Sequence, residues 1–232
     1  MRTQRWNLGR QLIPYIEAWE HQRRLHTAVV DGEEDTLVLL EHESVYTAGK
    51  RTASWDRPTD GTPVIDVDRG GRITWHGPGQ LIAYPIVRLA EPVDVVAYVR
   101  ALEQAVIDTV AELGIDAERV EGRSGAWVRG EEDRKVAAIG VRVARGVAMH
   151  GVAINACPDL GAFGAIVPCG ITDAGVTSLT ALTDREVSVS DCADLFEPHL
   201  RRCLAPVLVT APEPGRRDGR APAPANAPHP VG

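Results

Sequence analysis

The 232-residue sequence lacks several features that mark common protein classes. It has no uncharged apolar run near the roughly 18 residues that a membrane span needs. No apolar segment of the secretory type follows the first methionine, so we expect a cytoplasmic protein. A net charge of −7 argues against a general nucleic-acid binder, which needs a basic surface.

Cysteine is also scarce. The four cysteines, Cys157, Cys169, Cys192 and Cys203, include no C-x-x-C pair, so we expect neither structural zinc nor any other metal. Cys169 differs from the others in its neighbours, because a proline precedes it and a glycine follows it. Such framing can present a sulfur beside open backbone N–H groups, although a lone cysteine is more often an inert small apolar residue.

Lysine is the rarest charged residue. Only two of the 25 cationic residues are lysines, Lys50 and Lys135. Arginine replaces lysine at most solvated positions, but its guanidinium does not change its protonation state. Lys135 opens an apolar run and could therefore be either a strand-end residue that reaches water or a proton-exchanging group in a site. We interpret Lys50 as solvated.

Hydrophobic periodicity predicts an α/β (α+β) fold: a single domain with a mixed β-sheet core and flanking helices. We predict one folded domain over residues 1–210. Residues 211–232 contain six prolines and three glycines, so we expect a disordered tail. Glycines at Gly70-Gly71 and Arg145-Gly146 predict turns between strands. The predicted helices cover 14–30, 93–113 and 190–204, and the predicted strands cover 36–40, 62–67, 72–75, 80–87, 125–128, 135–143 and 147–155.

Two histidines lie in segments that could form a site. His76 stands at a strand end beside the glycine-rich segment 69–80, which allows close approach of backbone to a ligand but is also typical of an ordinary hairpin. Strand alternation places His150 on the same side as Ala148 and Val152. A buried histidine of this kind either orients a site or serves as a hydrogen-bonded core residue.

Five segments together resemble one family. They are RGGRITWHGPGQ (69–80), GRSGAWV (122–128), KVAAIG (135–140), HGVAIN (150–155) and PCG (168–170). In this order and spacing, over about residues 6–205, the sequence resembles the octanoyltransferases of lipoate synthesis, also called lipoyl(octanoyl) transferase or lipoate-protein ligase B. The chain departs from the family at Trp75, where tyrosine is frequent, and at Ser124, where proline is frequent.

The resemblance implies a fold shared with the catalytic domains of biotin and lipoate-protein ligases. It implies that Cys169 carries an acyl thioester, that Lys135 lowers the pKa of that thiol, and that no cofactor is needed. The donor would be octanoyl-acyl carrier protein, and the acceptors would be lipoyl domains of 2-oxoacid dehydrogenase complexes and the glycine cleavage H protein. The implied substrate contacts are Arg69, Gly70, Gly71, Arg72, Ile73, Thr74, Trp75, His76, Ala138, Ile139, Gly140, Gly151, Val152 and Ala153, with His150 and Asn155 as possible supporting residues.

Three alternatives remain open at this stage. An ATP-dependent lipoate or biotin ligase would need no cysteine, and an inactive relative would only bind lipoyl domains. A cysteine hydrolase could draw on His76, His150 and Asn155. Because the protein partners of the family tend to be acidic, we also expect a local basic rim around the site. Its candidates are Arg69, Arg72, Arg123 and Arg142.

Overall fold

The computed structural model describes residues 1–59, 61–166 and 174–209. Its helices are α1 (Tyr15–Val30), α2 (Val95–Ala111), α3 (Leu179–Leu182) and α4 (Val189–Leu204). Short 3-10 turns lie at Ser54–Asp56, Leu160–Ala165 and Ala205–Val207. The strands are β1 (Arg2–Arg5), β2 (Thr36–Leu40), β3 (Val45–Ala48), β4 (Val64–Asp66), β5 (Thr74–His76), β6 (Gln80–Ile86), β7 (Glu118–Val120), β8 (Arg123–Val128), β9 (Asp133–Ala144), β10 (Val147–Asn155) and β11 (Ala174–Val176).

Most strands belong to one mixed sheet, in the order β1-β2-β6-β10-β9-β8-β7. The β1–β2 pair is parallel, whereas the pairs from β2 through β6, β10, β9 and β8 to β7 are all antiparallel. Strand β11 pairs with β9 in parallel along Asp133–Lys135, beyond the end of β10. A small second sheet has the order β4-β3-β5. The mixed sheet with flanking helices confirms the predicted fold class.

Helices cover both faces of the large sheet. Leu37 and Leu39 of β2 pack in the same apolar cluster as Phe196 of α4, and α2 contributes to that cluster as well. The alternate residues Val38 and Leu40 pack on the other face with α1. Because both faces are buried, β2 reads in the sequence as an unbroken apolar run rather than an alternating one.

The elements with the strongest local sequence signals are present in the structure. Asp94 caps α2, accepting a hydrogen bond of 2.9 Å from the backbone N–H of Ala97. The helix covers residues 95–111, two residues shorter at each end than predicted. Ser188 and Asp191 form a capping box at the start of α4, where the sequence predicts a helix. The predicted β9–β10 hairpin is confirmed, because Arg145-Gly146 has positive φ at both residues, as a two-residue turn of this kind requires.

The predicted hairpin over residues 62–75 is wrong. Strands β4 and β5 do not pair with each other, because β3 lies between them and pairs with both. Residues 67–73 therefore form a loop around the side chain of Arg69 rather than a tight turn at Gly70-Gly71. The sequence prediction also missed the strands β1, β3, β7 and β11 and the short helix α3.

Within the described ranges, no helix is both long and apolar enough to cross a membrane. The predicted tail, residues 211–232, lies outside those ranges.

Candidate active site

A cavity of about 290 Å³ lies on the α1 side of the sheet, where β6, β10 and β9 adjoin. The loop that carries Arg69 forms one wall, and the turn before β8 forms another. The cavity brings together most residues that the sequence analysis singled out: Arg69, Gly71, Arg72, Thr74, His76, Lys135, Ala138, Ile139, Gly140, His150, Gly151, Val152 and Ala153. Segments distant in sequence therefore meet at one site.

Four of the expected residues lie elsewhere. Ile73 and Trp75 pack in a separate apolar cluster with Phe163. The backbone N–H of Gly70 donates to the carbonyl of Val141 at 2.9 Å, which fastens the loop to β9. Asn155 donates its amide to a backbone carbonyl in the core.

Cys169 lies outside the described residues, as do Pro168 and Gly170. The described chain approaches that segment from Ile166, which is buried in the cluster around Phe163. It resumes at Ala174, the first residue of β11, which pairs with Asp133.

A β-bulge turns Lys135 into the cavity. Ala126 of β8 pairs with Ala137 of β9, but the next residue, Trp127, pairs with Lys135. Val136 is therefore an extra residue in β9, and Val136 and Ala137 are both buried in the cluster under α2. Because a bulge reverses the alternation of side chains, Lys135 shares the face of Ala138 instead of the opposite one.

The Lys135 side chain is enclosed. It is only 6% exposed, and its Nζ lies 4.5 Å from the ring centroid of Trp127. An ammonium over an indole face is attracted by the negative face of the ring, by about 0.5–2 kcal/mol. Trp127 therefore contributes to holding the charge of Lys135 in the cavity.

Arg69 organises the loop that covers the cavity. Its Nη1 donates to the carbonyls of Gly70 and Arg72 at 3.0 and 2.9 Å. Its Nη2 donates to both oxygens of Thr47, each at 2.8 Å. With 7% of its surface exposed, Arg69 cannot belong to an exposed basic rim, and that expectation is wrong.

The other rim candidates carry partly compensated charges. Arg72 lies 3.4 Å from the buried carboxylate of Asp56, and Arg142 forms an ion pair with Asp68. Arg123 lines the cavity beside Lys135. An exposed arginine that the sequence analysis missed, Arg51, lines the cavity as well.

His76 begins a chain of buried hydrogen bonds that ends beside Lys135. Its Nδ1 donates to Gln80 Oε1 at 2.8 Å, and Gln80 Nε2 donates to Asn155 Oδ1 at 2.8 Å. Asn155 Nδ2 donates to the carbonyl of Thr177, whose own N–H donates to the carbonyl of Lys135. Burial lowers the pKa of His76 to about 3, so the ring is neutral at pH 7.

His150 does not face the side that strand alternation predicted. Its φ is +59°, and its N–H leaves the strand ladder to donate to Gln22 Oε1 at 2.9 Å. The ring consequently lies near Trp19 of α1, whereas Ala148 and Val152 pack on the opposite face. Local alternation fails here because the left-handed backbone rotates the side chain across the sheet.

Asp68 is the hydrogen-bond partner of His150. Its Oδ1 accepts from His150 Nε2 at 2.8 Å. This hydrogen bond is the largest cause that lowers the pKa of Asp68, to about 2. Burial lowers the pKa of His150, and the bond to Asp68 opposes that shift only in part.

Three further residues near the cavity were missed. Tyr15 and Tyr84 line it, and His42 lies directly behind Tyr84. Tyr84 falls within a predicted strand, and His42 follows another by two residues, but nothing local shows that two distant strands bring them together. Within the described part of the chain, no group of three or more histidine, cysteine or acidic residues is placed to hold a metal ion.

Comparison with known proteins places this site in a family. Residues 14–201 match the family described as lipoyl protein ligase A/B catalytic domain. An octanoyltransferase of Clavibacter sepedonicus is 62% identical over 205 residues, covering 85% of this chain and 88% of that protein. An octanoyltransferase of Salinispora tropica is 62% identical over 198 residues, covering 84% of this chain and 93% of that protein.

Solved structures share the fold at low sequence identity. A bipartite lipoate protein ligase from Thermoplasma acidophilum, solved in work on that system and its E2 lipoyl domain, matches with a TM-score of 0.63 and 17% identity over 80% of this chain and 79% of that chain. A lipoate-protein ligase A bound with ATP matches with a TM-score of 0.61 and 15% identity, over 88% and 85%. At 62% identity to octanoyltransferases along most of its length, the chain belongs to that family, the acyltransferases of lipoate biosynthesis with a lipoyl protein ligase A/B catalytic domain.

Proposed function

We propose that this acyltransferase moves an octanoyl group from octanoyl-acyl carrier protein to a lysine of a lipoyl domain, through a thioester on Cys169. The observation that carries the proposal is the enclosed ammonium of Lys135, turned by a bulge toward a cavity with a floor of small residues. The names of the curated relatives support the octanoyl group, and the E2 lipoyl domain named together with the Thermoplasma ligase supports the class of acceptor.

Chain connectivity supports a role for Cys169 at this site. Cys169 is five residues before Ala174, and β11 runs beside Lys135. Five residues span at most about 18 Å, a chain length that allows the Cys169 thiol to approach the ammonium. An ammonium near a thiol favours the thiolate, which is the nucleophilic form.

Two transfers complete the reaction. In the first, the Cys169 thiolate attacks the octanoyl carbonyl, and the carrier leaves as a thiolate that takes a proton from the Lys135 ammonium, so Lys135 becomes a neutral amine. In the second, the neutral acceptor amine attacks the enzyme thioester, an amide bond forms, and the Cys169 thiolate leaves. The acceptor amine loses a proton in this step to the neutral Lys135, which becomes an ammonium again beside the free thiolate. A cysteine suits the intermediate because a thioester stays reactive toward an amine.

The experiment is intact-protein mass spectrometry after mixing the enzyme with octanoyl-acyl carrier protein and no acceptor. We expect a hydroxylamine-labile octanoyl adduct that maps to Cys169 and is lost in Cys169→Ala. The variant Cys203→Ala, which removes a half-buried thiol of α4, should still form it. Adding a lipoyl domain should move the adduct to a lysine. Absence of an adduct, with transfer that requires ATP and free octanoate, would refute the proposal in favour of a ligase.

A further inference from the structure

Four small residues form the floor of the cavity. The register of β9 and β10 pairs Ala138 with Ala153 and Gly140 with Gly151. Residues directly opposed in antiparallel strands point to the same face of the sheet. All four line the cavity, so their small side chains leave a shallow trough above the two strands.

The next strand, β6, closes this trough with large side chains. Ile82 pairs with Ala153, and Tyr84 lies two residues further along β6, on the same face of the sheet. Both are buried and both line the cavity. The trough therefore runs across β9 and β10 and ends at β6, about two strand spacings or ~9.6 Å from β9.

Tyr84 is held rigidly in this position. Its hydroxyl donates to His42 Nε2 at 2.8 Å, and His42 Nδ1 donates to the carbonyl of Ile13 at 2.8 Å. Burial lowers the pKa of His42 to about 4, so the ring is neutral and can accept the phenol proton. Tyr15 packs against His42, with ring centroids 5.0 Å apart. Because its hydroxyl hydrogen is donated to His42, Tyr84 presents mainly the surface of its ring to the cavity.

We propose that Tyr84 is the specificity-determining residue that sets the longest acyl chain the cavity accepts, with His42 as the residue that positions it. This inference rests on the proposed function, in which the acyl carbonyl is attacked near Lys135 and the chain lies along the trough. The terminal methyl group would then meet the Tyr84 ring. A longer chain would have to displace that ring and break its buried hydrogen bond to His42.

The test measures kcat/KM for acyl-carrier thioesters of six, eight, ten and twelve carbons. The readout is the ratio of the twelve-carbon to the eight-carbon value, which does not depend on the amount of folded enzyme. We expect Tyr84→Ala to raise this ratio by about tenfold or more, because each accommodated methylene contributes to discrimination. The control Tyr98→Phe removes the hydroxyl of a buried tyrosine of α2, on the other face of the sheet, and should keep the wild-type ratio.

Two further variants test whether His42 positions Tyr84. His42→Leu removes the bond but leaves the Tyr84 ring, and Tyr84→Phe does the same from the other side. Both should raise the ratio, by less than Tyr84→Ala. If both variants keep the wild-type ratio while Tyr84→Ala changes it, the role of His42 is refuted and the wall at Tyr84 stands.

A second variant tests the same proposal if Tyr84→Ala does not fold. Ala153→Val adds bulk to the floor between Lys135 and Tyr84, so it should move the preference toward six carbons by about tenfold. Active variants at positions 84 and 153 that both keep the wild-type profile would overturn the chain-length proposal alone. A wild-type enzyme that transfers no thioester of any length would overturn the proposed function with it.

Discussion

The imidazole of His150 and the carboxylate of Asp68 are joined by a hydrogen bond of 2.8 Å at the edge of the cavity. The two residues come from different parts of the fold, the loop after β4 and the middle of β10. His150 reaches Asp68 only because its backbone adopts a left-handed conformation. This pair therefore links the loop that covers the cavity to the strand that forms its floor.

The pair predicts how stability changes in acid. The pKa of Asp68 is lowered to about 2, below its ordinary value near 4. Its contribution to stability is therefore fully present above about pH 4 and is lost as the pH falls through 2. We expect Asp68→Asn to be less stable than wild type at pH 7, with a difference that shrinks between about pH 4 and 2. Urea unfolding at several pH values measures this difference.

Burial of His150 acts in the same direction. Its lowered pKa means that the unfolded chain takes up a proton before the folded protein does, so stability falls below about pH 6.5. NMR titration of the Asp68 carboxyl carbon separates the two groups. In His150→Leu, which has no side-chain donor, the midpoint for Asp68 should move up toward its ordinary value, and an unchanged midpoint would show that the hydrogen bond does not cause the shift.

A second prediction concerns the proton carried by Lys135. Lys135→Arg keeps a positive charge but removes a group that can exchange a proton. We expect the variant to fold, to form the acyl-enzyme, and to discharge it to a lipoyl domain at least about 100-fold more slowly. Single-turnover measurements separate the two steps, and circular dichroism checks the fold.

The chain offers a matched control for this variant in its other lysine. Lys50 is exposed, so Lys50→Arg should leave both steps at the wild-type rate. Near-normal discharge by Lys135→Arg would remove the proton-transfer role from Lys135 while leaving its charge important.

The third prediction tests the bulge beside Lys135. Gly125 has a φ of +115°, and a methyl group added there would lie 2.4 Å from the carbonyl oxygen of Ala137. We expect Gly125→Ala to lower the free energy of unfolding by about 3 kcal/mol, because backbone strain and a steric clash act together. Gly114 also has positive φ but has nothing within 4 Å of such a methyl group. Gly114→Ala should therefore cost only about 1–2 kcal/mol. If urea unfolding shows that the two variants lose the same free energy of unfolding, the contact with Ala137 relaxes without an energetic cost.

Local signals in the sequence predicted much of this fold. The apolar stripe of α2, the capping box of Ser188 and Asp191, and the Arg145-Gly146 turn each depend on residues close in sequence. The resemblance to octanoyltransferases identified most of the cavity residues, because matching motifs indicate which positions belong to a site. Periodicity alone does not indicate this.

The failures arise where distant contacts override local pattern. Alternation placed His150 on the wrong face, because its N–H bonds to Gln22, 128 residues away in sequence. Strict alternation would also place Lys135 on the face of Ala137, because the spacing of apolar residues does not reveal the bulge. The pairing of Tyr84 with His42 depends on the order of strands in the sheet, which no local pattern specifies.

The last prediction follows from the loop that Arg69 holds. Its two terminal nitrogens donate to four oxygens, those of Gly70, Arg72 and Thr47, in a forked geometry. A lysine carries one nitrogen and cannot reach both sides, so Arg69→Lys leaves at least two buried acceptors without a donor. Each unsatisfied acceptor lowers the free energy of unfolding by about 1 kcal/mol or more. We therefore expect Arg69→Lys to lower it by about 2 kcal/mol or more, as measured by urea unfolding. Because the loop lines the cavity, KM for the acyl donor should rise as well. Arg51→Lys, at an exposed position of the same cavity, should cost under about 0.5 kcal/mol. If the two variants unfold at the same urea concentration, the Arg69 fork is not what holds the loop.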